Sequence, residues 1–462
     1  MAHRDSPKPY PSYKHFGRFH SVGQGLFFTA EVHQNQRDDS ASQSYRYVYD
    51  CGTASQQKFV EESIDDYTSQ TDEPPELDLL MLSHLHADHI SGLRSLLRNV
   101  ELNMVILPYV FPAQRAVYLS ETIESGDYPP EFIEWYRTFL VSPSSFFSNN
   151  GAEHIVCVWG GDNEPPYGSA RTEGPEGPES EERTVFEGVT LQALAETDQN
   201  QIFFAEADCH ADIKLKALVN ERKAIIVSTE GLIIPPRLRC SEGRWQFEFF
   251  HRIPDESKLK GFSEEFRKLR RGRDLADVLV EENESFVHHL ADLYHELFTK
   301  EAMNDTSLVV FSALHLDAEN TNYQRVSVYC VQDEWDEEAS WYEHIHPSYA
   351  SAGAVFTGDL NLRKISTLTA FHDKFGLVGN GRQSLPAAHA FLLQVPHHGS
   401  KHNWPRGEDP LPSNPLYVIP AGTQHGHPDP TPILSLLRDG RRCVWVHEGR
   451  GLDQHTWICL GP

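Results

Sequence analysis

The segment that most constrains this chain is His84–His89, which reads His-Leu-His-Ala-Asp-His and brings three histidines and one aspartate into six residues. Imidazole nitrogens and carboxylate oxygens are the ligands that zinc and similar divalent ions take in proteins. His84 and His86 are two residues apart, so both can point into one site from an extended turn, while Asp88 and His89 face a second ion. A polar surface loop is the alternative interpretation, but so dense a pattern rarely arises by chance.

Length and composition exclude several classes of protein. The 462 residues contain no run of about 18 apolar residues, so no membrane span is expected. The first ten residues lack the apolar core of a secretion signal, and the seven cysteines form no Cys-x-x-Cys pair. We therefore expect a soluble cytoplasmic protein. A net charge of −27 argues against a general nucleic-acid coat, although bound metal ions can still set the field at a nuclease site.

Apolar runs and helical spacings alternate along the chain and predict an α/β fold. Strand patterns, several ending in metal-capable or turn residues, occur at 16–30 (broken by a glycine turn), 45–50, 77–83, 104–108, 307–314, 354–359, 391–400 and 416–428. The run at 77–83 leads directly into His84–His89. Ligands in α/β folds usually lie at the carboxyl ends of strands, so Asp50, Asp359 and the His397–His398 pair are expected beside this cluster. A two-metal hydrolase needs such an inventory.

Six further motifs occur in the order typical of one family. They are Val22–Gly25 (Val-Gly-Gln-Gly), Asp50–Gly52 (Asp-Cys-Gly), Asn304–Val309 (Asn-Asp-Thr-Ser-Leu-Val), Thr357–Asp359 (Thr-Gly-Asp), Pro396–Ser400 (Pro-His-His-Gly-Ser) and Gly426–Pro428 (Gly-His-Pro). With His-x-His-x-Asp-His, they make the chain resemble the metallo-β-lactamase-fold hydrolases, and within them the hydrolase domain of ComEC-type DNA-uptake proteins and its stand-alone relatives. The resemblance implies an αββα sandwich.

The resemblance also implies roles for individual residues. The first ion would be bound by His84 and His86, the second by Asp88, His89 and either His397 or His398, with Asp359 bridging the two ions. Asp50 would orient the histidine loop without binding an ion itself. A water activated by the ions, zinc or manganese, would be the nucleophile. Asp88 and His427 are the expected catalytic residues, with His427 hydrogen-bonding the substrate or protonating the leaving group.

The sequence departs from the family pattern at the first metal. The third histidine found there in many β-lactamase-like enzymes has no obvious counterpart. The candidates are His154, His315 and Asn304, the last either as a weak ligand or as a residue that supports a ligand. If none of them serves, the first site is more open and favours manganese over zinc. The acidic residues that often flank Val-Gly-Gln-Gly are replaced by Ser21 and Leu26.

The sequence predicts that the chain is divided into three segments. Residues 1–197 are expected to form the first half of the metallo-β-lactamase-like domain, with a flexible Pro/Gly/Glu-rich loop at 160–183, and residues 303–462 the second half. Residues 198–302 are expected to be a mixed or mostly helical insertion, which could bind a protein partner. Residues 258–273 form a basic run, read either as a phosphate contact or as a solvated helix face. His288, His289 and His295 are expected to be helix-surface or packing residues, and 317–350 a polar excursion.

The leading functional prediction is a metal-dependent hydrolase with a dinuclear site. A phosphodiesterase or nuclease acting on nucleic acid or a nucleotide is favoured, because two ions stabilise both the attacking and the leaving oxygen of a phosphodiester. Arg363 and Lys401, close to the predicted ligands, also favour an anionic substrate. Hydrolysis of a lactone, thioester or amide is one alternative, since fold does not determine the bond cleaved. A partner-gated binding module in a defence or stress complex is another.

Overall fold

The computed structural model describes residues 13–35, 43–69, 74–160, 217–218, 223–228, 233–234, 239–240, 243–252, 256–270, 273, 279, 284–298, 303–316, 323–332, 341–345, 353–375, 390–406, 410–411 and 415–460. Residues 161–183 of the predicted flexible loop lie outside these ranges. Within the ranges, no helix has both the length and the apolar character needed to cross a lipid bilayer.

The described strands and helices follow one another along the whole chain. The strands are β1 (Tyr13–Phe19), β2 (Phe27–Gln34), β3 (Gln43–Cys51), β4 (Glu76–Met81), β5 (Glu101–Pro108), β6 (His154–Trp159), β7 (Ala224–Ser228), β8 (Ile233–Ile234), β9 (Arg239–Cys240), β10 (Gly243–Phe250), β11 (Val309–Leu316), β12 (Tyr323–Gln332), β13 (Trp341–Ile345), β14 (Ala354–Phe356), β15 (Leu392–Gln394), β16 (Leu416–Pro420), β17 (Cys443–Val446) and β18 (Leu452–Leu460). The helices are α1 (Gln57–Thr68), α2 (Ala87–Ile90), α3 (Leu93–Asn99), α4 (Pro112–Ser125), α5 (Pro130–Val141), α6 (Pro143–Asn149), α7 (Glu256–Arg270), α8 (Glu284–Leu297), α9 (Ile365–Lys374) and α10 (Pro430–Arg438). Short 3-10 turns occupy Asn304–Thr306 and His397–Gly399.

These strands form two sheets, each with a parallel part. The first sheet has the order β13-β12-β18-β1-β2-β3-β4-β5-β6-β7, and its strands from β3 to β7 are parallel. The second has the order β17-β16-β15-β14-β11-β10-β8, with β9 beside β10, and its strands from β14 to β17 are parallel. The carboxyl ends of parallel neighbours lie at one edge, so each sheet presents one edge where strand-end side chains gather.

Three apolar cores separate four layers. Leu80 of β4 belongs to a core shared with the helices that follow it, whereas Leu79 and Met81 belong to a core that also contains Phe247 of β10 and Phe356 of β14. A third core joins the second sheet to α9 and α10. Strands buried on both faces read as continuous apolar runs, which is the pattern of the second half of β4, Leu79–Met81. The prediction of an α/β fold with an αββα arrangement is confirmed.

The described parts of the 198–302 segment include strands as well as helices. β7 pairs with β6 in the first sheet, and β10 pairs with β11 in the second. α7 and α8 pack against each other and against α4. This segment therefore contributes to both sheets and to the helical layer, and its boundaries as a separate insertion stay a prediction.

One sequence expectation about the second half is wrong. Residues 317–350 were expected to be a polar excursion, but the described part contains β12 and β13, which pair with each other and extend the first sheet from β18. Val326, Val328 and Cys330 alternate with other residues along β12, which is the period of a strand. The polar residues on both sides of this pattern obscured it.

A buried histidine in the first sheet illustrates how the fold responds to acid. His15 on β1 is 1% exposed, its Nε2 lies 2.8 Å from the Tyr47 hydroxyl oxygen, and its ring stacks on Trp245 with centroids 5.0 Å apart. Burial, followed by the charge of His455, lowers the pKa of His15 to about 3. A histidine in the unfolded chain binds its proton below a pH of about 6.5. Between these values the unfolded state holds the extra proton, so stability falls as pH falls.

We predict that His15→Gln makes the protein less sensitive to acid. Between pH 7.5 and pH 5, the loss in free energy of unfolding should be smaller in the variant by about 2 kcal/mol, because one proton-binding site of the unfolded chain is gone. Urea unfolding at both pH values, in excess chelator, measures the difference. An equal loss in variant and wild type would contradict it.

Candidate metal centre

The loop after β4 carries the histidine cluster to the seam between the two sheets. Leu82 donates its backbone N–H to Ile106 O at 2.9 Å, which continues the first sheet past β4. One residue later, Ser83 O accepts the N–H of Leu308, just before β11 of the second sheet, at 2.7 Å. The backbone then turns, and α2 begins at Ala87. Both sheets therefore hold the loop at the residue before His84.

Asp50, near the end of β3, holds this loop by accepting hydrogen bonds from it. Its Oδ1 accepts the Ser83 N–H at 2.7 Å, and its Oδ2 accepts the Ser83 hydroxyl at 2.6 Å and the His89 Nδ1–H at 2.8 Å. Asp50 is fully buried and has φ of 54°, a left-handed conformation that Asp tolerates better than most residues. The neighbouring Gly52 is also required, since a Cβ there would lie 2.5 Å from the carbonyl carbon of His89.

The hydrogen bonds determine which ring nitrogens face the centre. The one hydroxyl proton of Ser83 goes to Asp50, so Ser83 Oγ accepts from His84 Nδ1, 2.8 Å away. His89 Nδ1 donates to Asp50, and His398 Nδ1 donates to Pro420 O at 2.7 Å. In the neutral rings, the Nε2 atoms of His84, His89 and His398 would therefore carry the lone pairs, and a neutral ring is the form that binds a metal ion.

These imidazoles and two carboxylates form three overlapping groups that could hold a metal ion. They are His84, Asp88 and His89; His84, His86 and Asp359; and His89, Asp359 and His398, with the ligand atoms of each group within 4.8 Å of one another. Asp359 belongs to two groups: its Oδ2 lies 3.6 Å from His84 Nε2, and its Oδ1 lies 3.2 Å from His89 Nε2. His398 Nε2 lies 3.1 Å from Asp88 Oδ2.

Buried atoms without hydrogen bonds show that the residues fit a cation. His84 Nε2, His89 Nε2 and Asp359 Oδ1 are buried and make no hydrogen bond to the described residues. Such atoms are costly to bury unless something pairs with them. Burial lowers the pKa of His89, yet Asp88 and Asp359 raise it well above the usual value. Burial raises the pKa of Asp359, but His397 and His89 lower it well below the usual value. The field therefore favours a positive charge between these groups.

The two adjacent histidines of Pro396–Ser400 occupy different positions. His397 and His398 both have positive φ, 47° and 53°, and with Asp50 they are the non-glycine residues of the described chain in this conformation. Strained backbone of this kind clusters at functional sites. His398 belongs to one of the three groups. His397 Nε2 lies 3.7 Å from Asp359 Oδ2, and its Nδ1 lies 2.9 Å from Asn403 Oδ1.

The other predicted site residues lie at varying distances from the groups. Asn304 Nδ2 lies 3.0 Å from His397 Nδ1. The ring of His427 lies 5.5 Å from that of His397, between centroids. His154 begins β6, so it lies at the opposite end of this parallel strand from the carboxyl edge. His315 is seven residues beyond Leu308, about 20 Å along β11 by strand rise. His154 belongs to no metal-capable group of the described residues.

Several supporting side chains were not found from the sequence. Ser307 Oγ accepts the backbone N–H of Asp359 at 3.1 Å, and Asn403 Nδ2 donates to Asp359 O at 2.7 Å. Gln394 binds the backbone around Thr357 and Gly358. Glu121 Oε2 lies 2.8 Å from His86 Nε2. Ser307 is inside a quoted motif and could have been singled out there, but Glu121 lies in a helix with no motif.

Comparison with known proteins gives a family match for one part of the chain. Residues 42–103 match the model of the metallo-beta-lactamase superfamily. This range includes Asp50 and the histidine cluster, so the similarity to the superfamily lies in the part of the chain that carries these residues. No curated protein matches the sequence.

Two solved structures show partial similarity. One is a long form of RNase Z from yeast, with a TM-score of 0.28 and 10% identity, where the alignment covers 96% of this chain and 35% of that chain. The other is MEM-A1, a subclass B3 metallo-beta-lactamase isolated from a soil metagenome library, with a TM-score of 0.12, 17% identity, and coverage of 19% and 31%. This chain spans about a third of the length of each. The range that matches the superfamily includes His84–His89, and each of the three metal-capable groups contains at least one residue of this segment.

We predict that Asp50→Ala destabilises the metal-free protein by about 3 kcal/mol, because three buried donors lose their acceptor. Asp50→Asn keeps one acceptor and tolerates the left-handed backbone, so it should cost about half as much. Denaturant unfolding in excess chelator measures both changes. The control is Asp65→Ala, at an exposed position of α1. An Asp50→Ala protein as stable as this control would show that the network contributes little.

Proposed function

We propose that this protein is a metal-dependent hydrolase with a dinuclear centre that cleaves a phosphodiester in a nucleic acid or nucleotide. The observation that carries the proposal is the set of buried Nε2 and Oδ1 atoms on His84, His89 and Asp359, which make no hydrogen bond to the described residues. Purely structural histidines and carboxylates at such depth are normally paired. Here the Nε2 atoms of His84 and His89 both face the carboxylate of Asp359.

The geometry supports one division of the ligands between two ions. His84 and His86 would hold the first ion with one oxygen of Asp359. His89, His398 and Asp88 would hold the second, with Asp359 between the two ions. Divalent ions held by these residues would supply an activated water, with its pKa lowered toward about 7, and positive charge for the attacking and leaving oxygens. Manganese or zinc would suit these nitrogen and oxygen ligands.

The residues around the ligands would keep them in position during the reaction. Asp50 and Ser83 fix the rings of His84 and His89 through Nδ1, so that Nε2 stays directed at the centre. His397 lies between Asp359 and Asn403, beside the ligands rather than within a metal-capable group. Its place favours a role in holding Asp359 or contacting substrate.

His427 is suited to bind a substrate oxygen. Burial, followed by the charges of His397 and His398, lowers the pKa of His427 to about 4, so the ring is neutral at pH 7. Its Nδ1 lies 3.5 Å from Asp429 Oδ2 without a hydrogen bond. A neutral imidazole still carries one N–H, which can donate a hydrogen bond to the substrate. Because the ring is not an imidazolium at pH 7, this role is favoured over protonation of the leaving group.

A phosphodiester is favoured over other bonds by the charges beside the centre. Lys401 follows His398 closely, with its Nζ 3.6 Å from Asp429 Oδ1, and Arg363 Nη1 donates to Lys401 O at 3.4 Å. Two cations near the ligands suit an anionic substrate. The motif resemblance to ComEC-type hydrolase domains points to the same substrate class. A lactone, thioester or amide would not need these cations.

We predict that protein purified without chelator carries about two divalent ions per chain and hydrolyses bis(p-nitrophenyl) phosphate with added Mn²⁺ or Zn²⁺. The Asp88→Ala/His89→Ala double variant should lose at least about 100-fold in activity, since even supporting residues of a metal site cost 10–100-fold. Mass spectrometry for metal content and the chromogenic assay test both statements.

The matched control is His33→Gln. His33 pairs with Ser44 on β3. Ser44 is six residues before Asp50, which places it about 20 Å from Asp50 by strand rise. Metal content and activity should therefore be unchanged in this variant. Two ions without phosphodiesterase activity would move the proposal to another bond or to a complex that gates the activity. No bound metal after addition of ions would exclude the dinuclear mechanism.

We also predict that the two adjacent histidines differ. His398→Ala should lose the second ion, because its Nε2 faces Asp88. His397→Ala should retain about two ions and lose about 10- to 100-fold in activity, as expected for a supporting residue. Metal content after desalting and the hydrolysis rate separate the two effects. Loss of an ion in His397→Ala with retention in His398→Ala would reverse the assignment.

A further inference from the structure

Glu121, on α4, connects the metal centre with the 198–302 segment. Its Oε2 lies 2.8 Å from His86 Nε2, and its Oε1 lies 3.4 Å from His295 Nε2 on α8. The three side chains are partly buried, with 26% of Glu121 and 22% of His295 exposed. One carboxylate therefore spans the histidine loop and a helix that is distant in sequence.

The contact with Glu121 determines how His86 can act. A carboxylate accepts hydrogen bonds, so His86 Nε2 carries the proton and donates it to Glu121. In the neutral ring, the remaining nitrogen, Nδ1, carries the lone pair. The ring stands edge-on to His84, with centroids 4.8 Å apart, and edge-on to Tyr118, at 4.5 Å. A histidine that binds a metal ion through one nitrogen commonly donates its other N–H to a carboxylate, which fixes the tautomer and the ring orientation.

We propose that Glu121 is the positioning residue of His86 and that His295 in turn holds Glu121, so that α8 helps to shape the first metal site. This inference rests on the dinuclear centre proposed above. It gives the 198–302 segment a role in the hydrolase itself. It also supplies a support to the site that lacks the third histidine of many β-lactamase-like enzymes.

The packing of α8 on α4 supports this role. A second pair of the same kind lies beside the first: His288 Nδ1 is 2.7 Å from Glu124 Oε1 and 3.2 Å from Ser120 Oγ. His288 and His295 are seven residues apart, and Glu121 and Glu124 are three apart, so each pair lies on one face of its helix. Tyr118 OH lies 3.2 Å from Thr306 Oγ1, which ties α4 to the turn before β11. α4 is thus held on both sides of Glu121.

The test compares metal binding by Glu121 and Glu124 variants. The full-length protein, stripped with chelator, is titrated with Mn²⁺, Zn²⁺ and Co²⁺ against a chromophoric competitor, and the visible spectrum of bound Co²⁺ is recorded. Glu121→Ala should weaken one of the two ions by about 10- to 100-fold and alter the Co²⁺ spectrum, leaving the other ion unchanged. Glu121→Gln should lie between Glu121→Ala and the wild type, because its amide oxygen still accepts from His86. Glu124→Ala, one turn along the same helix, should bind both ions like the wild type.

A second pair of variants tests the contribution of α8. His295→Ala should weaken the same ion by several-fold, less than Glu121→Ala, while His288→Ala should have no effect. Wild-type affinity for both ions in Glu121→Ala would overturn the inference and leave the dinuclear proposal standing. Equal loss in the Glu121→Ala and Glu124→Ala proteins would also overturn it, since the effect would then reflect damage to the helix. A wild-type protein that binds no ion would overturn both proposals.

Discussion

The buried carboxylate of Asp50 is the constraint on which the rest of the centre depends. A charge without exposure to water must be matched by donors, and those within reach are the N–H and hydroxyl of Ser83 and the ring of His89. Satisfying all three fixes the turn after β4, its attachment to β11 and the tautomers of His84 and His89. This arrangement requires a strained, left-handed backbone at Asp50, and the strands on both sides hold Asp50 in that conformation.

The centre lies at a seam, and this explains why its supports come from both sheets. The parallel strands β3 and β4 end on one side, and β14, β15 and β16 end on the other. Hydrogen bonds join the two sides. Leu308 bonds to Ser83, Ser307 to the backbone N–H of Asp359, and Asn403 to the carbonyl of Asp359. A Cβ on Gly358 would lie 2.5 Å from Ser83 Cβ, so this close approach of the two sheets needs a glycine, and its φ of 54° favours one.

Strands were predicted correctly where an unbroken apolar run covered all or half of the element, as in β16 and the second half of β4, because segments buried on both faces are apolar throughout. The same reasoning missed β12 and β13, where polar residues flank a weaker alternation, and pairing with β18 provides the order that the local pattern does not. His288 and His295 were expected to be surface or packing residues. They do lie on the helix surface, but that surface faces α4, and no local feature of α8 indicates carboxylates there.

The sequence by itself determined the chemical types of the candidate ligands, because three imidazoles and a carboxylate fall within six residues and further candidates follow later strands. It also determined the fold class, through the alternation of strand and helix patterns. The tertiary structure decided which nitrogen each imidazole turns toward the centre, how His397 and His398 differ, and that Glu121 meets His86. These depend on partners far apart along the chain, such as Pro420, Asn403 and His295, whose proximity arises only when two sheets and a helical layer pack together.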